Sequence, residues 1–320
     1  MDMTSLKHAI KAEYGIEIGQ LHRLEGGEKN MVYRIDRSPY VLRVYQKSAD
    51  RSGIHFEHAL LLSLQKRLSY ISQPYVTKSG TFLEIDGHPA AVMRYIDGIT
   101  PAREDIDGAF CHQAGICLGE IHRQASGAAS ALPAVRSRKS LLEMDFFDND
   151  MYSWDTATAW LAKTKYRTRL PYFKDTLRFC ESYFHTKKFS PLLPIHGDYY
   201  EGNLLCRDGK IVGVIDFDDT KLEFPEYEIA RSLWEFTRDD ATFTFRPALR
   251  EAYLSGYSSI MSIALTESDV LAVVGFVRIM EILSNASSMI KGDLLEGFDE
   301  EYNDLNFKWS KKIFRKLATL

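Results

Sequence analysis

The stretch PIHGDYYEGNLL, residues 194–205, carries more hydrogen-bonding side chains than a core segment would. Asp198 and Asn203 lie five positions apart within it, and Asp216 follows thirteen positions later in the segment VIDFDDT. Each polar group that is buried without a partner costs roughly 1–3 kcal/mol, so this density indicates a functional segment. Phosphoryl transfer needs a carboxylate that positions the attacking hydroxyl, and oxygen ligands that hold Mg²⁺ on the phosphates. The three side chains are of the types that this chemistry requires.

The elements that would position these side chains differ between two parts of the chain. The first part, up to residue 96, shows short strands and turns with one helix from about residue 51 to 68, which predicts an α+β lobe. The rest shows helical apolar spacing, except that NLLCR and KIVGVID predict a single hairpin around the turn Asp208-Gly209. We therefore expect an α+β fold with two domains, residues 1–96 and 97–320, and a hinge at about 92–98.

Composition and charge exclude several classes of protein. The 320 residues carry a net charge of −4, which gives no basic surface for nucleic acid or an anionic membrane. Apolar runs such as VLAVVGFV are too short to cross a bilayer, and the chain opens on an amphipathic helix that ends at Gly15 rather than on a signal sequence. The four cysteines lack the spacing of a zinc site or a disulfide framework. These features predict a soluble cytoplasmic protein and leave its oligomeric state open.

The order D-x-x-x-x-N, hairpin, D-F-x is the arrangement that kinase-fold enzymes use. IHGDYYEGNLL followed by GVIDFDD resembles the superfamily of aminoglycoside phosphotransferases, choline kinases and type II homoserine kinases, which are small-molecule kinases with a protein-kinase-like fold. The resemblance extends from about residue 24 to 236, because GGEKNMVYRID is similar to the family's phosphate-covering loop and FPEYEIARSLWEF to the helix after its metal-binding Asp. It implies a small β-rich N-lobe with one long helix that binds nucleotide, a larger, mainly helical C-lobe that carries catalysis and binds the acceptor, and ATP and Mg²⁺ as cofactors.

The resemblance also implies roles for the motif residues. Asp198 would be the catalytic base or the group that orients the hydroxyl, and Asn203 and Asp216 would be Mg²⁺ ligands. Arg43 stands where protein kinases have Lys, and its charge and forked geometry still suit phosphate oxygens. Its carboxylate partner would be Glu57, the only acid in the helix of residues 51–68.

The remaining nucleotide contacts implied by the resemblance lie in the N-lobe. Gly26, Gly27 and Asn30 would cover the phosphates, where small residues allow the backbone to approach closely. Backbone groups near Met93 and Tyr95, at the junction of the lobes, would hold the adenine. An ordinary hairpin turn remains an alternative for the two glycines.

Other side chains near the motif have a functional and a structural interpretation. Asp218 either binds a second Mg²⁺, faces the acceptor, or belongs to a solvated turn. Tyr199 and Trp234 are tentative acceptor residues, although aromatic side chains in this position are more often core. We predict that His122 and His196 brace the backbone. Glu228, in the helix after Asp216, would support the catalytic loop.

The acceptor is predicted only as a class. Only eight residues separate Asp216 from Pro225, too few for a long regulated segment, so a small molecule with a hydroxyl group is favoured over a protein. Acids near the expected mouth suggest a cationic acceptor, although a solvated surface explains them as well. They are Asp145, Asp148, Asp150, Asp218, Asp219, Glu235, Asp239 and Asp240.

Two other functions fit part of the sequence. VIDFDDT also matches the nucleophile loop of haloacid-dehalogenase-like phosphatases, with Asp216 as nucleophile, but that fold needs further strands where residues 225–320 show helices. A nucleotide-binding regulator without catalysis is the second alternative, although the base and both metal ligands are present. No GxxxxGK[ST] motif occurs, which excludes a P-loop kinase.

Overall fold

The computed structural model describes residues 3–24, 30–128, 132–133, 139–239, 244–292 and 297–320. Its helices are α1 (Met3–Tyr14), α2 (Arg51–Leu64), α3 (Gly108–Ala128), α4 (Trp154–Leu161), α5 (Leu170–Thr186), α6 (Pro225–Thr237), α7 (Pro247–Ser258), α8 (Glu267–Lys291) and α9 (Glu300–Leu317). Its strands are β1 (Leu21–Arg23), β2 (Met31–Ile35), β3 (Tyr40–Val44), β4 (Leu83–Ile85), β5 (His88–Arg94), β6 (Leu193–Ile195), β7 (Leu204–Arg207), β8 (Lys210–Val214), β9 (Lys221–Glu223), β10 (Arg238–Asp239) and β11 (Thr244–Phe245).

The first five strands form one antiparallel sheet in the order β1-β2-β3-β5-β4. Leu42 and Val44 of β3 pack in a core with Leu6 and Ile10, which lie one turn apart on α1. Because side chains alternate along a strand, Arg43 between them points to the opposite face, toward α2. This alternation carries Arg43 to the side of the sheet on which the helical half of the chain lies.

Helix α2 begins after Asp50, whose carboxylate accepts a hydrogen bond from the Ser52 amide at 3.0 Å. It ends at Leu64, four residues before the predicted end, because the chain turns there and the Leu68 amide donates back to Leu64 O. The next residues dock on the helical half, where the Val214 amide of β8 donates to Tyr70 O at 3.0 Å. Between residues 74 and 80 the chain forms isolated bridges, Pro74 with Met93 and Thr77 with Gly80.

The helical half packs its helices at close range. A Cβ atom on Gly115 of α3 would lie 2.2 Å from the Tyr253 carbonyl of α7, and one on Gly256 would lie 2.1 Å from the His112 carbonyl. Only glycine permits the two backbones to approach this closely. Helix α8 has 25 residues and is long and apolar enough to span a membrane, but most of it is buried against α4, α6 and α9. This burial is that of a core helix in a water-soluble protein.

The predicted hairpin is present as β7 and β8, joined at Asp208-Gly209. The prediction that this hairpin is the only β-structure of the helical half was wrong, because β6 pairs with β9 and β10 pairs with β11 as well. These strands have only two or three residues, too few to show a pattern of alternation. The β6–β9 pair matters for the site, because its two strands flank the segments that carry Asp198 and Asp216.

Candidate active site

The loop that follows β6 is held by its first three residues, His196 to Asp198. The His196 ring donates from Nε2 to Ile215 O at 2.8 Å, and its Nδ1 accepts from the Asp198 amide at 3.2 Å. Gly197 has φ +92°, and a Cβ there would lie 2.0 Å from Asp219 O. The predicted bracing role of His196 is confirmed, and it ties the loop to the residue just before Asp216.

Asn203 joins Asp198 at the other end of this loop. Its Nδ2 donates to Asp198 O at 2.8 Å and lies 3.3 Å from Asp198 Oδ2. The amide oxygen of Asn203 therefore points away from Asp198, as a ligand to a cation must. The Ile215 amide donates to Asn203 O at 3.0 Å, which draws Asp216 to the same place. Burial raises the pKa of Asp198, an effect that the Arg231 charge opposes.

Glu228 supports the loop from the first turn of α6, as predicted. Its carboxylate accepts from the His196 amide at 3.0 Å, from the Gly197 amide, and from His122 Nε2 at 2.8 Å. His122 is fully buried, and Tyr257 lies 2.9 Å from its other ring nitrogen. Burial alone would raise the pKa of Glu228, but the hydrogen bond from His122, together with the other donors, lowers it. The structural role predicted for His122 is confirmed.

Arg43 brings the sheet to the acidic segment. Its guanidinium lies 3.0 Å from Glu57 Oε1 and 3.0 Å from Asp216 Oδ1, and it also donates to Asp218. The predicted partner Glu57 is thus confirmed. Burial raises the pKa of Glu57 to about 8 although the Arg43 charge opposes this. Burial would lower the pKa of Arg43, but the groups around it, Tyr45 first and then the carboxylates, raise it.

The Asp216–Asp218 segment faces the N-lobe. Asp216 has φ +64°, a left-handed conformation that is uncommon for a residue with a side chain and occurs at functional sites. Asp218 accepts hydrogen bonds from Asn30 and from Arg43, both of the sheet side. These partners contradict the alternative of a solvated turn for Asp218 and leave the other two alternatives standing. Gly26 and Gly27 lie outside the described residues.

Two predicted acceptor residues are core residues instead. Tyr199 exposes 3% of its surface and donates its hydroxyl to Ala114 O at 2.9 Å. Trp234 exposes 1% and stands edge-on to Phe245 and Trp309. The acceptor interpretation was wrong for both, and the core interpretation, which the sequence favoured for Trp234, is what the structure shows, because the Tyr199 hydroxyl is held by α3 and Trp234 lies on the buried face of α6.

The adenine and acid predictions also need correction in part. The Tyr95 amide donates to Pro39 O at 2.8 Å, so it is used by the sheet, and Met93 is a buried residue of β5. Glu235 is bound by Arg238 and Arg278. Of the other acids predicted at the mouth, Asp145 accepts from the amides of Phe147 and Asp148, and Asp240 lies outside the described residues.

Sequence reasoning missed Arg231. It lies on α6, donates from Nη1 to Gly197 O, and has Nη2 3.3 Å from Asp198 Oδ1. Its position three residues after Glu228 is the signal that was present, because residues three apart share a helix face. Sequence reasoning also missed Arg103, whose guanidinium lies 3.0 Å from Glu201 Oε1 in the loop that carries Asp198.

The oxygen donors of this site fit Mg²⁺. Over the described residues, no group of three His, Cys, Asp or Glu side chains forms a metal cage. Mg²⁺ is usually bound by one or two protein oxygens together with substrate phosphates and water. Asn203 and Asp216 would supply the protein oxygens. A surface depression of about 690 Å³ between α7 and the ends of α8 and α9 is lined by other residues, so it does not mark this chemistry.

The model of the phosphotransferase enzyme family matches residues 20–264. The chain belongs to this family. It is 27% identical over 268 residues to a homoserine kinase of Brucella canis, which covers 80% of the chain and 76% of the relative. A homoserine kinase of Beijerinckia indica is 26% identical over 253 residues, 78% of the chain and 74% of the relative.

Solved structures share the fold. The amicoumacin kinase hAmiN in complex with AMP-PNP, Ca²⁺ and Ami has a TM-score of 0.71 at 16% identity and covers 99% of this chain and 94% of its own. A microcompartment-associated aminopropanol kinase has a TM-score of 0.70 at 15% identity, over 99% and 98%. The fold is thus the protein-kinase-like fold predicted from the sequence, and the chain is a small-molecule phosphotransferase. The phosphatase alternative was wrong, because the sheet is antiparallel and residues 225–320 are mainly helical.

Proposed function

We propose that this phosphotransferase moves the γ-phosphate of ATP to the hydroxyl of a small molecule that carries an amino group. The observation that carries the proposal is the junction of Asp198, Asn203 and Asp216 beside Arg43, where a base, two oxygen ligands and a phosphate-binding cation meet. ATP supplies the phosphoryl group, and Mg²⁺ neutralises part of its charge.

Each side chain of the junction has a distinct task. Asp198 orients the acceptor hydroxyl for in-line attack and accepts its proton. Asn203 and Asp216 hold Mg²⁺ by their oxygens, and Arg43 neutralises phosphate charge while Glu57 fixes its orientation. Asp218, bound to Asn30 and Arg43, fastens the phosphate-covering segment to the acidic segment.

The other sequence-based roles are part of the proposal. Gly26 and Gly27 cover the phosphates, and backbone groups near Met93 and Tyr95 hold the adenine. The nucleotide-binding lobe is residues 1–96 and the catalytic lobe 97–320. The enzyme works in the cytoplasm, where ATP and Mg²⁺ are available.

The amino group of the acceptor is inferred from related proteins. Homoserine, aminopropanol and ethanolamine, which the names of relatives and structural neighbours mention, each carry both a hydroxyl and an amino group. Asp219, whose charge acts on Asp198, has the sign that an ammonium group requires. A neutral sugar as the best acceptor would contradict this part of the proposal.

The test is turnover of ATP with Mg²⁺ against homoserine, choline, ethanolamine, methylthioribose, hexosamines and aminoglycosides. Asp198→Asn should lower kcat by about 10²- to 10⁴-fold, the usual contribution of a general base, and leave nucleotide affinity within a few-fold. Asp208→Asn, in the hairpin turn, is the control and should match the native enzyme. Equal losses of kcat and nucleotide affinity in Asp198→Asn would contradict the assigned role, and unchanged turnover would favour a regulator.

A further inference from the structure

Helix α6 places a second cation against the catalytic carboxylate. Arg231 reaches back along the helix and binds both Gly197 O and Asp198 Oδ1. These two contacts use one N–H of each terminal nitrogen, and a guanidinium has five N–H donors in a fixed fork. The side chain is 27% exposed, so the rest of the fork borders solvent.

Arg231 and Asn203 contact different oxygens of the Asp198 carboxylate. Asn203 faces Oδ2 of that carboxylate, whereas Arg231 faces Oδ1, so the metal ligand and the arginine flank it from opposite sides. The carboxylates that act on Arg231, besides Asp198, are Glu281 and Asp219, both in the helical half. The phosphate-binding cation of the N-lobe is Arg43, which is held by other carboxylates.

A second cation reinforces the positive charge at this wall. Lys221 Nζ lies 4.5 Å from the centre of the Tyr227 ring, and the Arg231 guanidinium carbon lies 5.8 Å from it. Lys221 is fixed by the buried Glu223 at 2.9 Å, and Tyr227 is itself almost fully buried. Lys221 already faces the Glu223 carboxylate and Arg231 that of Asp198, and the part-exposed Arg231 fork has further N–H donors that an acceptor carboxylate would use.

We propose that Arg231 binds a carboxylate of the acceptor, which makes the substrate class of this enzyme the hydroxylated amino acids. The inference rests on the proposed function and narrows it. Arg suits this task because its planar fork binds a carboxylate through two parallel hydrogen bonds. Asp219, whose charge also acts on Arg231, would complement the ammonium group of such a zwitterion.

The carboxylate takes no part in the bond changes. The hydroxyl oxygen forms the new bond to the γ-phosphorus as the bond to the β-γ bridging oxygen breaks, and the hydroxyl proton passes to Asp198. The products are the phosphate ester and ADP. Arg231 therefore acts by binding and positioning. Because it also holds Gly197 O and Asp198, its removal should lower kcat for every acceptor alike, and the loss of carboxylate binding should appear as a larger rise in the KM of the amino acid than in that of its decarboxylated partner.

The test uses acceptor pairs that differ only in the carboxylate. The pairs are homoserine with 3-aminopropan-1-ol, serine with ethanolamine, and threonine with 1-aminopropan-2-ol. The native enzyme should prefer the amino acid of its best pair by about 10- to 100-fold in kcat/KM, the usual range for a charge-assisted hydrogen bond. Arg231→Met should reduce this preference below about 3-fold with the KM of ATP unchanged, and Arg231→Lys should give an intermediate value.

Arg250→Met is the matched control. Arg250 is 29% exposed and lies 3.4 Å from Glu267, a pair of nearly the same burial and length as Arg231 with Asp198, but on α7 and away from the loop. It should keep the native preference. Thermal unfolding of each variant shows whether it is folded, and if Arg231→Met is not, the ratio for Arg231→Lys decides.

The outcomes separate this inference from the proposed function. An unchanged preference in Arg231→Met, or turnover confined to acceptors without a carboxylate, overturns the inference and leaves the kinase function standing. Phosphorylation of aminoglycosides alone also overturns the inference and leaves the kinase function standing. No phosphoryl transfer to any acceptor of either panel overturns the proposed function, and the inference with it.

Discussion

Replacing Glu228 with Gln tests the support of the catalytic loop. Oε2 accepts from the His196 amide and from His122, and Oε1 accepts from the Gly197 amide. A glutamine has one acceptor oxygen, so in either orientation its NH₂ group faces at least one buried N–H. One unsatisfied buried donor costs about 1–3 kcal/mol, and two bonds that lose charge assistance cost about 1 kcal/mol each. The free energy of unfolding should therefore fall by about 3–5 kcal/mol.

The same helix turn offers a matched control in Glu226→Gln. Glu226 is also buried, but its Oε1 accepts both the Ser190 amide at 3.0 Å and the Ser190 hydroxyl at 2.7 Å. A glutamine oxygen can keep both bonds. The loss is then only the charge at the helix N-terminus, about 0.3–1 kcal/mol.

The assay combines thermal unfolding with steady-state kinetics. Glu228→Gln should unfold about 6–20 °C lower, since each kcal/mol shifts the midpoint by about 2–4 °C in proteins above about 150 residues. It should also lose about 100-fold in kcat, because a displacement of about 1 Å of a catalytic group has that effect. Equal kinetic losses in Glu226→Gln, or native kcat in Glu228→Gln, would refute the assignment.

The pH dependence gives an independent check on Glu228. Its pKa is lowered in the folded protein, so its stabilising contribution is present above the ordinary value of 4.5 and is lost as the pH falls through the folded value. Glutamine does not titrate. The stability gap between the native protein and Glu228→Gln should therefore narrow below about pH 4.5, and a constant gap would contradict the lowered pKa.

Two further substitutions test the loop and the N-lobe. Gly197→Ala should abolish soluble, active enzyme, because the new Cβ would collide with Asp219 O. The control is Gly209→Ala, which is also at positive φ but has open space around it, and its free energy of unfolding should fall by only about 1 kcal/mol in chemical denaturation. Similar losses in the two variants would refute the steric argument. His58, buried between the Tyr45 hydroxyl and Thr81, has its pKa lowered by burial, and further by the Arg43 charge, to about 3. The unfolded chain takes up a proton below about pH 6.5 that folded His58 does not, so stability should fall between pH 6.5 and 3 by up to about 1.4 kcal/mol per unit. Urea unfolding of His58→Gln should lack this component, and an identical pH slope in both proteins would contradict it.

The local part of the site could be predicted from the sequence. Asp198, Asn203 and Asp216 are joined by one short hairpin, so their spacing along the chain fixes their spacing in space. Glu57 could be named because it is the only acid on a helix that packs over the face to which Arg43 points. The resemblance to the kinase superfamily supplied the roles in both cases, and the single acid on the helix left only one candidate partner for Arg43.

The distant part could not be predicted in the same way. Arg231 is 33 positions from Asp198, and only the packing of α6 under the loop brings them together. Tyr199 and Trp234 have the composition of either a pocket or a core, and the difference is one of orientation. Strands of two or three residues, such as β6 and β9, carry no readable alternation. In each case the tertiary arrangement decides the outcome, and the local pattern does not contain it.

The backbone contacts of Gly197 show why α6 is central to this site. Its N–H is bound by Glu228 and its carbonyl by Arg231, two side chains three residues apart on one helix face. A backbone in the left-handed region is held in place only when its surroundings fix it from several sides. Because side chains of α6 hold both the N–H and the carbonyl of Gly197, the position of Asp198, the next residue, is set by α6 before any acceptor binds. The same arginine would then bind the acceptor's carboxylate, so one rigid helix would align both the base and the substrate whose proton it takes.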